Sequence, residues 1–438
     1  MSFRQSALED SVVITHDGHA LHARPGESLA HALIAADRLV LSRSPKLHRP
    51  RGPFCLTGEC DGCLLRVDGV PNVAACQHRV CGGEVLQTQN VLGSREVDLL
   101  QANDFLFPHG IDHHRLFAGV RGVSALVTRL ARRIAGLGNL PDLPAELGLE
   151  SSDESWPALI IGGGVAGLSA ARGLGEKALL VEMAPELGGV ERLLNPAESV
   201  RRVEDARNSG AQLRTRATAI GIYEPAPERA LDEGHADAPR AGESPRTFEV
   251  LVARPGGMLR VRTRCLILAC GSHAVIPEFA NSDLPGIFSA RAGLELLRSG
   301  ISPGERVAVL GLGPVADCAA RELGSQLAVR LQNLETVLGA EGRTRVSGLR
   351  FREHDEGRRL KVDAVLCDGP PAPSFELAVQ AGARVQFNPD LGFVPEAREH
   401  DHCVASGVYC IGAAAGAAEA AEHQGYEAGR TLGNALRG

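Results

Sequence analysis

The sequence predicts an α/β protein in two parts: a small N-terminal domain of hairpins about one helix, then a larger module of two dinucleotide-binding folds, the second inserted in the first. Three observations carry this. Cys55, Cys60, Cys63 and Cys76 fall at C-x4-C-x2-C, with the fourth cysteine a hairpin later. Gly162-Gly163-Gly164-Val165-Ala166-Gly167 follows a short apolar strand and opens a helix. A second strand, glycine turn and helix recurs with Gly311, Gly313 and Ala316. The implied boundaries are 1–97 for the N-terminal domain, 98–155 for a connector, 156–300 with 404–438 for the first dinucleotide fold, and 301–403 for the second.

At 438 residues the chain is long enough for two or three domains, each with its own core. A formal charge of -7 leaves no footprint for nucleic acid. The lysines are Lys46, Lys177 and Lys361, so nearly all positive charge is arginine, which reads as codon usage rather than recognition chemistry. The start, MSFRQSALED, has neither a basic n-region nor an apolar h-region, and no apolar run reaches membrane-spanning length. A soluble, cytoplasmic protein is expected. Eleven cysteines without an export signal read as reduced thiols and metal ligands rather than disulfides.

From Val12 the run VVITHDGHALHARPG reads as strand, Asp17-Gly18 turn and strand, because an Asp-Gly pair sits between alternating residues. Pro25-Gly26 then punctuates the chain, and Ser28 to Leu39 carries Leu29, Leu33, Ile34 and Leu39 near helical spacing. The cysteine loop follows. CLLRVDGVPNVAAC makes a second hairpin around Asp68-Gly69, and EVLQTQNVL a last strand. Hairpin, helix, loop and hairpin in that order resemble the β-grasp ferredoxin fold.

The cysteine spacing is that of a plant-type [2Fe-2S] cluster. Two irons bridged by sulfide need four thiolates converging from one side. A tight loop supplies three of them if its backbone bends sharply, with Gly58 and Gly62 where a side chain would block the bend, and the returning arm of the hairpin supplies the fourth. Cys55, Cys60, Cys63 and Cys76 are therefore the expected metal ligands, and Cys81 a bystander. A zinc ribbon would instead use two C-x2-C knuckles on separate hairpins. Before the loop, RSPKLHRPRG sets Arg43, Lys46, Arg49 and Arg51 close in sequence. Positive charge there would favour the reduced cluster; the alternative is a solvated basic loop.

Residues 98–155 read as a connector: DLLQANDFLFPHG and VSALVTRLARRIAGLG look helical, broken by Pro108, Pro141 and Pro144. His109, His113 and His114 lack a cysteine or carboxylate at ligand spacing, so a polar turn is expected there. At Trp156 the pattern becomes α/β, with strand ALII, the glycine turn, a helix from Val165 to Leu174, and strand KALLVE ending on Glu182. Gly162 makes the tight turn, Gly164 lets backbone reach a pyrophosphate and Gly167 lets the helix pack on the sheet. The helix N-terminus holds phosphate through free N–H groups. Glu182 arrives where a carboxylate accepts from ribose hydroxyls, which disfavours a 2'-phosphate.

Pro225 to Pro245 is a Pro-, Ala- and charge-rich surface excursion, carried on a hairpin of Ala219–Tyr223 and Thr247–Ala253. RCLILACGSHAVIPEF returns the chain to the first nucleotide fold, with Cys265 and Cys270 as core residues rather than a redox pair. RVAVLGLGPVADCAAREL repeats the dinucleotide pattern, but LAVRLQNLE offers no clear acid at the end of its next strand; the segment is either a degraded NAD(P)H site or a scaffold. SGVYCIGAAAG and a helix from Ala417 to Leu436 close the first fold, the helix N-terminus again directed at the cofactor.

From Ala158 onward the chain resembles the two-dinucleotide-domain flavoproteins of the glutathione reductase superfamily. That resemblance implies FAD or NAD held by Gly162, Gly164, Gly167, Glu182, Gly189 and Gly412. The disulfide-reducing branch carries a cysteine pair after its Gly-Gly; here Gly188-Gly189 leads to VERLLN, which excludes disulfide reduction. More narrowly, SPKLHRPRG, the cysteine loop with DGVPNVAACQ, DLLQANDFLFP, RRIAGLG and VDAVLCDGPPAPSFELAVQAG resemble the α-type subunits of heterotetrameric sarcosine oxidase. They resemble equally the hydrogen cyanide synthase, opine oxidase and hydroxyproline dehydrogenase assemblies.

The resemblance implies a hetero-oligomer in which a flavin-containing β-type subunit dehydrogenates an amino acid or amine, with FMN at a subunit interface as a further cofactor. Two departures bear on this. The sequence ends at Gly438, without the folate-binding region of sarcosine oxidase α subunits, so no tetrahydrofolate chemistry is expected. FAD-binding relatives close on Gly-Asp, whereas Gly412 is followed by Ala413, which leaves FAD, NAD or another adenine nucleotide open.

No constellation resembles a nucleophile or general base, so no catalytic residue is assigned and the chemistry falls to cofactors. The expectation is an electron-transferring iron–sulfur flavoprotein subunit of an amino-acid or amine dehydrogenase. The alternatives are a self-sufficient NADH-dependent reductase and a structural nucleotide-binding subunit.

Overall fold

Asp17-Gly18 and Asp68-Gly69 turn the chain in the same way, with φ of 48° and 79° in the first pair and 48° and 80° in the second. Both central residues in the left-handed region make the two-residue turn whose twist suits a hairpin. The computed structural model, which describes residues 3–44, 47–91, 150–224, 246–354, 356–398 and 401–436, accordingly pairs Val12–His16 with His19–Ala23 and Leu64–Val67 with Val70–Ala74, both antiparallel. Val85–Gln87 lies between the two hairpins, parallel to the first and antiparallel to the second.

The helix packed on this sheet is Leu29–Ala35, shorter than the expected 28–39. Ser28 caps it by accepting from His31 N–H. Asp37, at φ 58°, turns left-handed after Ala36, and the Asp37 and Arg38 N–H groups return to the Ile34 and Leu33 carbonyls. That closure ends the helix before Leu39. Ile14, Leu33, Leu65 and Leu86 fill the core, with Cys63 and Cys76 among them.

The described residues form two units, each with its own cores. One takes the residues up to Val91 with Ala274–Gly369; the other takes those from Glu150 to His273 with Pro370 onward. The boundaries expected at 300 and 403 thus lie nearer 273 and 369. The reason is pairing. Ile287–Ser289, expected in the first dinucleotide fold, is parallel to Ala364–Asp368 in the second, whose sheet runs Ile287–Ser289, Ala364–Asp368, Val307–Gly311, Leu327–Leu331. Ala372–Pro373, expected in the second fold, pairs with Ser272–His273 of the first.

In the other unit the sheet runs Gln212–Arg214, Ala178–Val181, Glu150–Ile161, Gly257–Leu268, Phe248–Arg254, Thr218–Tyr223, with Val408–Cys410 parallel to the end of Gly257–Leu268. The hairpin expected around 219–253 is present as Thr218–Tyr223 and Phe248–Arg254. The closing helix is Ala421–Ala435, preceded by a short 3-10 turn at Gly412–Ala415, so its N-terminus stands nine residues beyond Gly412 rather than at it. Gly425, Gly429 and Gly433 line its contact with the helix Val165–Leu174. A Cβ at Gly425 would stand 2.2 Å from the Ala166 carbonyl, and one at Gly429 2.3 Å from that of Ala170. Spacing of four puts the three glycines on one face.

Most of the connector, its three histidines and the excursion from Pro225 to Pro245 lie outside the described residues. Among the described residues no helix is long and apolar enough to cross a membrane.

Candidate functional site

The loop from Phe54 to Cys63 bends at Leu56 and Gly58, whose φ values are 57° and 86°. A Cβ at Gly58 would meet the Gln77 amide at 2.8 Å, and one at Gly62 would stand 2.3 Å from the Gly52 carbonyl and 3.6 Å from Cys60 Sγ. Gly62 is therefore required by close approach, and Gly58 by the bend as well. Cys55, Cys63 and Cys76 are at most 4% exposed, and Cys60 is half-buried.

The four sulfurs stand in two neighbouring pairs, Cys55 with Cys60 and Cys63 with Cys76. Cys60 holds Cys55 down at about 5 and is itself pushed up. Cys63 likewise pulls Cys76 down while its own thiol rises. Cys55 also lies in electrostatic reach of Cys76, and Cys60 of Cys63.

Backbone N–H groups of Thr57, Gly62 and Gly58 point at Cys55, Cys60 and Cys76 respectively. Two pairs side by side suit two bridged irons, each taking two thiolates, and donors aimed at sulfur stabilise the thiolate charge.

Of the basic residues before the loop, Arg43 and Arg49 bond groups other than the sulfurs, while the Arg49 and Arg51 side chains stay 39% and 38% exposed. Arg43 is 1% exposed and donates to the His48 carbonyl. Arg49 grips Asp283 of the second dinucleotide-like fold through two bonds of 2.7 and 2.6 Å, with Arg51 at 3.8 Å from the same carboxylate. Lys46 lies outside the described residues. The cysteine loop rests on that same fold. Ser289 N–H donates to the Phe54 carbonyl at 3.0 Å, and Glu59 accepts from Ala274 N–H at 3.4 Å and faces Arg291 at 4.0 Å. A small open cleft beside Cys60 is walled by Arg51, Gly62, Ile276, Asp283 and Ile287.

Burial disfavours the Asp283 carboxylate, but Arg49 and Arg51 outweigh it and hold the group below the ordinary range. Arg49→Ala is expected to cost about 1–2 kcal/mol, since it leaves a partly buried carboxylate without its main partner. A lower thermal midpoint at pH 7 checks this. A depressed carboxyl stabilises above its unfolded value, near 3.9 for Asp, and loses that contribution as pH falls through its folded value. The difference between wild type and variant should therefore shrink below about pH 4.

In the other unit, Gly162 has φ 109°, and a Cβ there would stand 2.2 Å from the Ala269 carbonyl. A Cβ at Gly167 would stand 1.9 Å from the Gly162 carbonyl. Gly164 is different: it caps the helix Val165–Leu174 at φ -78°, with open space where a Cβ would be. A helix N-terminus left open in this way has the free N–H groups that can accept an anion. Gly189, at φ 56°, lies against Gly164, and Gly188 N–H donates to the Gly163 carbonyl. Gly412 N–H donates to Gln424, and its α-carbon packs on Ala166.

Glu182 lies at the turn, its carboxylate already accepting from Gly163 N–H at 2.6 Å and Ala184 N–H at 2.7 Å. These bonds make Glu182 a shaping residue of the turn itself. Cys265 is buried and pushed up to about 12 by burial. Cys270 donates to the Ile161 carbonyl, and burial raises it further. The contacts of Glu59 with Ala274 and Arg291 were not disclosed by sequence, because the partners lie on distant segments.

Residues 9–91 match the family described as a 2Fe-2S iron-sulfur cluster binding domain. The chain is 25% identical to the sarcosine oxidase subunit alpha of Rhizobium meliloti (strain 1021), over 84% of this chain and 41% of that protein. It is 24% identical to the sarcosine oxidase subunit alpha of Corynebacterium sp. (strain P-1), over 87% of this chain and 36% of that protein. The chain thus spans about two fifths of the length of the curated relatives it matches. Among solved structures it is similar to L-proline dehydrogenase from P. horikoshii, at 22% identity and a TM-score of 0.72, over 99% of this chain and 75% of that one. That likeness establishes the fold.

Proposed function

For a chain related to sarcosine oxidase α subunits over most of its length, with a 2Fe-2S domain at its start, we propose an electron-transferring subunit of a hetero-oligomeric amino-acid or amine dehydrogenase. It passes electrons from a partner's flavin to its own cluster, in the cytoplasm. The observation that carries this is the pair of thiol pairs in the loop 55–76, in one chain with a nucleotide fold whose turn is open at Gly164.

Cys55 and Cys60 would hold one iron, Cys63 and Cys76 the other. A [2Fe-2S] cluster, when bound, accepts and releases one electron at a time. The protein's part is to hold that group dry and oriented. Cys55, Cys63 and Cys76 are closed off from water, while Cys60, beside the cleft, is the sulfur nearest solvent and gives the short way in or out. The N–H groups of Thr57, Gly58 and Gly62 favour added negative charge on the sulfurs.

In the other unit, Gly162, Gly164 and Gly167 with the helix N-terminus would hold the diphosphate of FAD, NAD or another adenine nucleotide. Glu182 would face its ribose, with Gly189 and Gly412 closing the site. Ala413 supplies no carboxylate at the place where FAD-binding relatives carry Asp.

The test is reduction of the assembly purified from its native host. An amino-acid or amine substrate should bring up the electron paramagnetic resonance of a reduced [2Fe-2S] cluster only when the flavin-bearing partner is present, and NADH should not. Reduction of the isolated chain by NADH alone would replace this reading with that of a self-sufficient reductase.

A further inference from the structure

The second dinucleotide-like fold keeps the outline of a coenzyme site: strand Val307–Gly311, a turn through Gly313, and helix Pro314–Leu323. In such a fold the pyrophosphate sits on the free N–H groups at the helix start. Here that place has an occupant from within the chain. Asp368, at the end of the neighbouring strand Ala364–Asp368, accepts from Ala316 N–H through Oδ2 at 3.0 Å. A Cβ at Gly313 would stand 2.7 Å from that same oxygen, and one at Gly311 1.8 Å from the Asp368 carbonyl. The carboxylate therefore lies directly over the turn and caps the helix from an adjacent strand, as a capping side chain does from its own.

Arginines fix this arrangement. Arg330 donates to the Gly311 carbonyl and, at 3.0 Å, to Asp317. Arg291 lies in electrostatic reach of Asp368 and faces Glu59 of the cysteine loop. Burial raises the Asp368 carboxyl, against the pull of Ala316 N–H, Arg330 and Arg291.

Ligands of open parallel sheets bind outside the carboxyl ends of the strands. At that edge of this sheet the end of Ile287–Ser289 already carries the cysteine loop, through Ser289 N–H on the Phe54 carbonyl. The ends of Ala364–Asp368 and Val307–Gly311 carry the Asp368 carboxylate.

We propose that this fold takes no dinucleotide: Asp368 stands in the place of the pyrophosphate, and the domain is retained as the seat of the cluster domain. The inference does not depend on what the first glycine turn holds.

The experiment counts NADH bound per chain by equilibrium dialysis of the full-length, cluster-bearing protein. Asp368→Asn and Asp368→Gly are expected to take one more equivalent than wild type. The affinity at the added site should be roughly a hundredfold above the wild type's, because a like charge about 4 Å from the diphosphate has been removed. A wild-type chain that takes an equivalent lost on Gly313→Val would overturn the proposal. So would an Asp368→Asn protein that melts like wild type and takes no further equivalent. Should both Asp368 variants fail to fold, the comparison of wild type with Gly313→Val still decides.

Discussion

Replacing Cys63 by Ser is expected to leave the purified chain nearly free of iron, without the visible absorption and electron paramagnetic resonance of a [2Fe-2S] cluster and without electron transfer. Cys63 is 1% exposed, sits in the core of the N-terminal domain and lies beside Cys76. A serine hydroxyl holds its proton at neutral pH, so one iron would lose half of its protein ligands. The drop in iron affinity should exceed the roughly 10- to 100-fold seen when only an outer partner of a ligand is lost. Cys81→Ser, outside the loop at an exposed thiol, should keep the full complement. Iron and acid-labile sulfide in equal amounts in the wild type would complete the test; zinc without sulfide would sink the assignment.

Gly162→Val should be the most damaging single change in the other unit. Its φ of 109° is one that a β-branched residue adopts only under strain, and its Cβ would be driven to 2.2 Å from the Ala269 carbonyl. Together these should cost about 3 kcal/mol or more and abolish retention of an adenine nucleotide. Nucleotide released on heating, measured by absorbance, and the thermal midpoint report the two effects. Gly164→Ala separates them. With φ at -78° and open space, the methyl should leave stability within about 1 kcal/mol of wild type while standing where a phosphate must come. Equal nucleotide retention in Gly164→Ala would contradict the placement of the diphosphate.

What sequence disclosed was whatever is local. Asp17-Gly18 and Asp68-Gly69 specify their turns through the φ values they tolerate, and the helix Val165–Leu174 was legible to the residue because Gly164 and Gly175 bracket it. The two-plus-two grouping of the sulfurs was not legible, because spacing says which cysteines converge and not which ones touch. The hand-over between folds was misplaced because FSA and ALII look alike as short apolar runs; only pairing tells which sheet takes Ile287–Ser289. The basic stretch before the loop was read by proximity along the chain, whereas Arg49 answers to Asp283, more than two hundred residues away. The packing of Gly425, Gly429 and Gly433 on the helix Val165–Leu174 was not read from sequence, because it depends on which helix lies opposite.

That distance has a consequence for how the molecule is made. The Phe54 carbonyl accepts from Ser289 N–H and Glu59 from Ala274 N–H, so the contacts of the cysteine loop are completed by residues that leave the ribosome long after it. At roughly 5–20 residues per second the wait is tens of seconds. Through that interval the four thiols are held only by their own hairpins, and metal delivered then meets a half-supported nest.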